Sequence, residues 1–96
     1  MLETDIEKYL RTKVKTDLRG LALKFVSPGC NGVPDRIILL PGAKVIFVET
    51  KAPKKNLRKL QEWICGKIRD LGFSVLKIDS KPGVDDFIRG VKAVGV

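Results

Sequence analysis

The stretch Asp35-Arg36-Ile37-Ile38-Leu39-Leu40-Pro41-Gly42-Ala43-Lys44-Val45-Ile46-Phe47-Val48-Glu49-Thr50-Lys51 decides the fold. Its two apolar runs flank Pro41-Gly42, the pair that a type II turn takes at its two central positions. That is the pattern of a β-hairpin. Neither run alternates with polar residues, so both strands read as central ones, covered on both faces. Folding the chain back about Pro41-Gly42 pairs residues whose numbers sum to about 83 or 84, which sets Asp35 opposite Val48 or Glu49. Glu49 and Lys51 are two apart on one strand, and the period of two places both side chains on the same face. Two carboxylates and an ammonium group therefore meet at the open end of the hairpin.

On the N-terminal side, Ile6, Leu10, Val14 and Leu18 repeat at helical spacing from Glu3 to about Leu18. Lys8, Arg11, Lys15 and Arg19 form a parallel basic stripe on this first helix, and Gly20 is a stop signal. Leu21 to Val26 reads as a strand that Ser27-Pro28-Gly29-Cys30-Asn31-Gly32 breaks. On the C-terminal side, Lys54-Lys55-Asn56 leads into a helix with apolar positions Leu57, Leu60, Ile64, Ile68 and Leu71, closed by Gly72 as a C′ residue. Phe73 to Ile78 is a further strand, and Ser80 to about Val91 a short last helix. There is no repeat, low-complexity tract or linker. The order helix, three strands, helix, strand, helix predicts one α/β domain over residues 1–96, a three-layer sandwich with a mixed sheet, the hairpin central and helices on both faces.

Composition narrows the chemistry. A chain of 96 residues is one domain, and its 44% hydrophobic residues suffice for one core. A domain this small buries a modest share of its surface, a limit that a homodimer relieves. The formal charge of +8, from 19 Lys and Arg against 11 Asp and Glu, favours polyanionic partners, nucleic acid first. Cys30 and Cys65 lack metal-site spacing, which fits a reduced, cytoplasmic setting. No apolar run approaches the ~18 residues of a membrane span, and Met1-Leu2-Glu3-Thr4-Asp5 is acidic where a signal peptide is basic and then apolar. The absence of His removes the usual general base, the usual zinc ligand and every His-based triad. Catalysis in this chain has to rest on carboxylates, Lys and a hard metal.

Two carboxylates at the end of an apolar sheet are costly unless a positive group neutralises them, and a hard divalent cation such as Mg²⁺ is the usual answer. A nearby Lys can orient or help deprotonate a water whose pKa the metal lowers. Each residue also has a plainer reading, Asp35 as a turn or cap residue and Glu49 with Lys51 as an ion pair at a strand end. Taken together, an Asp before one buried strand and Glu-Thr-Lys ending the next favour a site.

Pro34-Asp35 with Glu49-Thr50-Lys51 fourteen positions on resembles the PD-(D/E)xK nuclease signature and its αβββαβ, restriction-endonuclease-like core. Gly32-Val33-Pro34-Asp35-Arg36, Pro41-Gly42, Phe47-Val48-Glu49-Thr50-Lys51-Ala52 and Gln61 resemble, more narrowly, the VRR-Nuc branch in its stand-alone phage and bacterial form, over nearly the whole chain. The resemblance implies a metal-dependent endodeoxyribonuclease in which Asp35, Glu49 and the backbone carbonyl of Thr50 bind Mg²⁺ or Mn²⁺ and Lys51 positions the water. Thr50 departs from the family, which more often has an apolar residue there; its side chain is expected to point away from the metal.

The resemblance also implies a Glu from the first helix at the site, as a further ligand. Glu3 and Glu7 both continue the apolar stripe; Glu3 is favoured, with Glu7 nearly equal, although acids in a first turn also suit the helix dipole. Gln61 falls on the buried face of its helix, where it needs a hydrogen-bond partner. The resemblance gives it a site-supporting role, and a backbone cap is the alternative. Lys24, Lys54, Lys55, Arg58 and Lys59 form a phosphate track beside the site, since cations at a helix N-terminus oppose its dipole and are more easily explained by a ligand. Few aromatics interleave with them, which favours backbone and shape recognition over base stacking. The resemblance points to branched DNA, four-way (Holliday) junctions included, and two symmetric cuts suit a homodimer. The alternatives are a noncatalytic basic DNA-binding module and a sequence-specific restriction-type nuclease of the same fold.

Overall fold

The protein is described by a computed structural model over residues 2–94. Its elements are α1 (Glu3–Leu18), β1 (Leu21–Lys24), β2 (Arg36–Leu40), β3 (Lys44–Thr50), α2 (Lys59–Asp70), β4 (Ser74–Ile78) and α3 (Lys81–Ala93). The sheet order is β1-β2-β3-β4, antiparallel across the first two pairs and parallel across β3–β4. The hairpin strands β2 and β3 are thus central in a mixed sheet, and the last strand returns beside β3 through the α2 crossover. No helix among the described residues is long and apolar enough to cross a membrane.

The hairpin register is Arg36↔Val48 through Leu40↔Lys44, a number sum of 84, so Asp35 stands one step outside the ladder at the level of Glu49. The connection uses Pro41, Gly42 and Ala43, with φ of 81° at Gly42 and 61° at Ala43. The expected two-residue type II turn is therefore lengthened by Ala43, a second left-handed residue that brings Lys44 level with Leu40. β1 ends at Lys24, earlier than Val26, although the Phe25 amide still donates to the Asp35 carbonyl at 2.8 Å.

One face of the sheet carries the main core. The α1 ridge Ile6, Leu10, Val14 and Leu18 and the α3 residues Val84, Phe87, Ile88 and Val91 close over Ile38, Leu40, Val48 and Ile78. Each fully buried Ile, Leu or Val contributes about 1.5–3 kcal/mol, so this cluster dominates stability. The Ser80 hydroxyl caps α3 by accepting from the Gly83 amide at 3.0 Å, and the Tyr9 hydroxyl ties α1 to α3 through Asp85 at 2.6 Å.

Gly20 is required by closeness: a Cβ there would lie 2.6 Å from the Leu39 carbonyl oxygen. The left-handed residue that ends α1 is instead Arg19, φ 57°. Gly20 follows the turn, rather than making it as a stop residue would, because the sheet claims the space a side chain would need.

The other face is covered less completely. α2 packs against β4, and Phe25, Phe47 and Phe73 make a line of ring contacts, 5.6 Å between neighbouring centroids. The helix begins at Lys59, so Leu57 precedes it, and its buried residues are Gln61 and Cys65. Leu60 and Leu71 of the expected apolar stripe are 49% and 78% exposed. Because α2 covers little beyond one edge strand, a single ridge is buried, and that ridge is aimed at the end of β3. Toward β1 the face is open, with Leu21 and Leu23 about half exposed.

Candidate active site

The C-terminal end of β3, the residue before β2, the second turn of α1 and the first turn of α2 converge on one place. Glu49 is buried beside β4 and uses both oxygens: Oε1 accepts from the Asp35 amide at 3.0 Å and Oε2 from Gln61 Nε2 at 3.0 Å. Lys51 Nζ stands 3.4 Å from the same Oε2. The period of two thus brings Lys51 to Glu49 as expected, and the parallel neighbour of Glu49 on β4 is Lys77. Lys77 Nζ donates to the Lys55 carbonyl at 3.0 Å, tying the loop before α2 to the sheet.

Asp35 sits where the strand ladder ends, and its carboxylate turns toward α1. Oδ1 accepts from the Thr50 amide at 2.9 Å and Oδ2 from the Thr50 hydroxyl at 2.5 Å. That hydroxyl is also 3.1 Å from Glu7 Oε1. The Thr50 side chain, fully buried, thereby joins the carboxylates of α1 and β2, contrary to the expectation that it points away. β3 alternates, so Thr50 lies on the α1 face and Glu49 on the α2 face; Asp35, free of the ladder, reaches across the end of the strand.

One hydroxyl proton cannot serve two ionised carboxylates. Burial, and next the neighbouring Glu7 carboxylate, raise the Asp35 pKa from 3.8 to about 7. Glu7 moves the opposite way, lowered chiefly by its hydrogen bond with the Asp35 carboxyl, with Thr50, Arg36 and Lys24 helping against desolvation. The pair shares a proton, with the charge resting on Glu7.

Of the two acids expected from α1, the structure brings in Glu7; Glu3, a turn earlier, is exposed. The reason is reach, since Glu7 comes within contact of Thr50 and Arg36, whereas Glu3 has neither contact among the described residues. Gln61 makes two contacts at once: its Oε1 accepts from the Arg58 amide at 2.9 Å and its Nε2 donates to Glu49. Lys24, Lys54, Lys55, Arg58 and Lys59 are all exposed around the cluster, and Lys54 is held at a left-handed φ of 65°. Gly32 lets the loop before Asp35 approach Leu60 in the first turn of α2, where a Cβ would lie 3.0 Å from the Leu60 side chain.

Arg36 has no place in the residue-pattern reading. It pairs across from Val48 and so projects to the α1 face, where Nη2 lies 3.8 Å from Glu7 Oε2 and Nη1 donates to the Ala22 carbonyl at 3.4 Å. Its Nε is buried without a partner. The signal was available, since one step along β2 from Asp35 reverses the face.

The donor set is all hard oxygen, which suits Mg²⁺ or Mn²⁺. Glu7 has Arg36 at 3.8 Å, whereas none of the ion pairs among the described residues involves Asp35, so a divalent cation would compensate the Asp35 carboxylate once its proton is lost. Among the described residues no three His, Cys, Asp or Glu side chains are close enough to hold an ion by themselves. Two carboxylates, a backbone carbonyl and water are what the arrangement offers, and Mg²⁺ ordinarily keeps several waters.

The sequence matches no family model. A protein of Acyrthosiphon pisum secondary endosymbiont phage 1, named "Putative nuclease p44", is 44% identical over 79 residues, covering 82% of this chain and 84% of that protein. A solved structure described as "VRR_NUC domain" matches with a TM-score of 0.86 and 26% identity, over 93% of this chain and 97% of the other.

Proposed function

Because this chain belongs to the VRR-Nuc family of nucleases, we propose that it is a Mg²⁺-dependent, structure-selective DNA endonuclease that hydrolyses phosphodiester bonds in branched DNA, four-way junctions among them. The observation that carries the reading is the partly buried Glu49–Asp35–Thr50–Glu7 chain at the end of β3, with Lys51 and Gln61 on Glu49.

Asp35, Glu49 and the carbonyl of Thr50 are the groups that would hold Mg²⁺ or Mn²⁺, with Glu7 adding negative charge from α1. The ion supplies a lowered pKa for a bound water and positive charge against the scissile phosphate. Gln61 fixes the Glu49 carboxylate so that one orientation is populated, and the Asp35 amide holds its other oxygen. Lys51, anchored at Glu49 and partly open to solvent, orients the attacking water and offsets charge developing on the phosphate. Thr50 keeps Asp35 aimed by donating from its amide and hydroxyl. In-line attack by water leaves a 5′-phosphate and a 3′-hydroxyl. The exposed cations Lys24, Lys54, Lys55, Arg58 and Lys59 hold the phosphate backbone, and the reaction belongs in the cytoplasm of a bacterial or phage-infected cell.

Resolving a two-fold junction takes two cuts, and the open sheet face at Leu21 and Leu23 supports a homodimer. The test is purified protein with Mg²⁺ or Mn²⁺ against labelled four-way junction, flap and linear duplex. Junction cleavage that EDTA abolishes and Lys51→Ala reduces by about 10²-fold or more is expected. Absence of cleavage on all three, with binding equal to that of Lys51→Ala, would instead mark a noncatalytic DNA-binding module. Cutting of plain duplex at a defined sequence would mark a restriction-type enzyme.

A further inference from the structure

The basic stripe on α1 has no part in the site just described. Arg11, Lys15 and Arg19 continue the i, i+4 ridge that begins at Glu3 and Glu7, directly beside the buried ridge Ile6–Leu18. All three are exposed. The ridge lies on the flank of α1 away from α3, because the α3 flank is taken by Tyr9, Lys13 and Asp17 through Asp85 and Lys92.

The two flanks differ in pairing. On the α3 side Lys13 Nζ lies 2.9 Å from Asp17 and Lys92 Nζ 3.9 Å from it. Among the described residues no ion pair involves Arg11, Lys15 or Arg19. Like charges at i, i+4 repel, whereas cations in the last turn suit the helix dipole, so the dipole accounts for Lys15 and Arg19 in part and leaves the mid-helix Arg11 without a helix-stabilising role.

Arg19 adds an independent observation. It occupies the left-handed position that ends α1, where Gly or Asn is the usual choice and a side chain is disfavoured. The neighbouring Gly20 is needed for its close approach to Leu39, which explains a Gly at 20 but not an Arg at 19. Lys54, in the loop beside Glu49, is likewise a cation at positive φ. Of the three non-glycine residues at positive φ among the described residues, Ala43 serves the hairpin turn and the other two, Arg19 and Lys54, are cations.

From this we infer that Arg11, Lys15 and Arg19 form a second phosphate-binding track, which seats a duplex DNA arm leaving the site along α1, away from the track of Lys54, Lys55, Arg58 and Lys59. The inference rests on the nuclease reading of the site and names a surface that the site itself does not use. Successive ridge residues rise by about 6 Å, so Arg11 to Arg19 spans about 12 Å. That matches roughly three to four phosphates at about 3.4 Å axial spacing along one strand. With α1 on one face of the sheet and the Lys54–Lys59 segment toward the other, two arms would diverge around the end of β3, as a branch point requires.

The test is binding of labelled four-way junction and of a linear duplex in EDTA, where no cleavage can occur, measured across a salt series. Arg11→Gln/Lys15→Gln/Arg19→Gln is expected to lower the salt-dependence slope for the junction by about 2–3 and to weaken binding at least about tenfold. Arg19→Gly is expected to raise the melting temperature by a few degrees while lowering the slope by about 1. Arg19→Lys should keep the wild-type slope. An unchanged junction slope in the triple variant, or an Arg19→Gly that binds like wild type, overturns the second track. Wild-type cleavage of the junction with Mg²⁺ is scored separately, so an inactive protein with a normal slope change fails the nuclease reading and not this one.

Discussion

Replacing Gln61 by leucine removes two hydrogen bonds in one step: the buried bond from Nε2 to Glu49 Oε2 at 3.0 Å and the partly buried one from the Arg58 amide to Oε1 at 2.9 Å. A hydrogen bond to a charged group is worth about 1.5–3 kcal/mol, and loss of an N-terminal helix cap costs about 0.5–2 kcal/mol. Leucine regains part of this through burial, since Gln61 is 6% exposed. The net expectation is a loss of about 2–3 kcal/mol, against a total of about 5–15 kcal/mol for a domain, so the variant still folds. At about 4–8 °C per kcal/mol for a chain of this size, the melting temperature falls by about 10–20 °C.

Gln61→Glu separates the two roles, because its carboxylate still accepts from the Arg58 amide while, once ionised at alkaline pH, it repels Glu49 instead of donating to it. It should retain much of the cap and lose the hold on Glu49. Cleavage should then fall by about 10²-fold in kcat, with KM little changed, as expected for a misplaced active-site group. Urea denaturation and single-turnover cleavage read the two effects independently. If Gln61→Glu matches wild type in both, Gln61 does not orient Glu49 and the account of the site is wrong at that residue.

Glu7→Gln should reduce cleavage at least about tenfold and leave Glu3→Gln as its neutral control, measured on the same junction; equal effects at the two positions would count against the role of Glu7. Metal-free protein should lose stability as pH rises from about 4 to about 7. Folded Asp35 holds its proton to about 7 while an unfolded carboxyl releases it near 4, so the native state binds more protons throughout that window. The slope should flatten in Asp35→Asn, and Mg²⁺ should restore the melting temperature at pH 8; calorimetry across pH reads both, and a flat wild-type profile would refute the proton-sharing pair. Leu21→Glu/Leu23→Glu should convert a dimer to monomer in sedimentation without unfolding it, because both side chains are about half exposed in the single chain; a monomeric wild type would remove the dimer from the proposal.

Much of the molecule is set by local pattern. The apolar runs flanking Pro41-Gly42 dictate the hairpin, and a period of two then places Asp35 at the level of Glu49 and Lys51 beside Glu49 before any packing is considered. The i, i+4 ridge Ile6–Leu18 defines α1 and its inward face in the same way. These features follow from backbone geometry alone, so they are readable from a single chain.

Choices that depend on which surface meets which were settled only when the elements packed. Glu7 rather than Glu3 lies at Thr50, because the height of α1 against the sheet is a tertiary quantity that both glutamates satisfy equally on the helix alone. The Thr50 side chain lies between two acids, since the strand's alternation says that it changes face but not what waits there. α2 buries Gln61 and Cys65 while leaving Leu60 exposed, because helical periodicity marks several candidate ridges and only the position of β4 selects one. The same holds for Gly20: its presence after the helix is visible in the chain, whereas the need for it comes from the Leu39 carbonyl, nineteen residues on and adjacent only in the folded sheet.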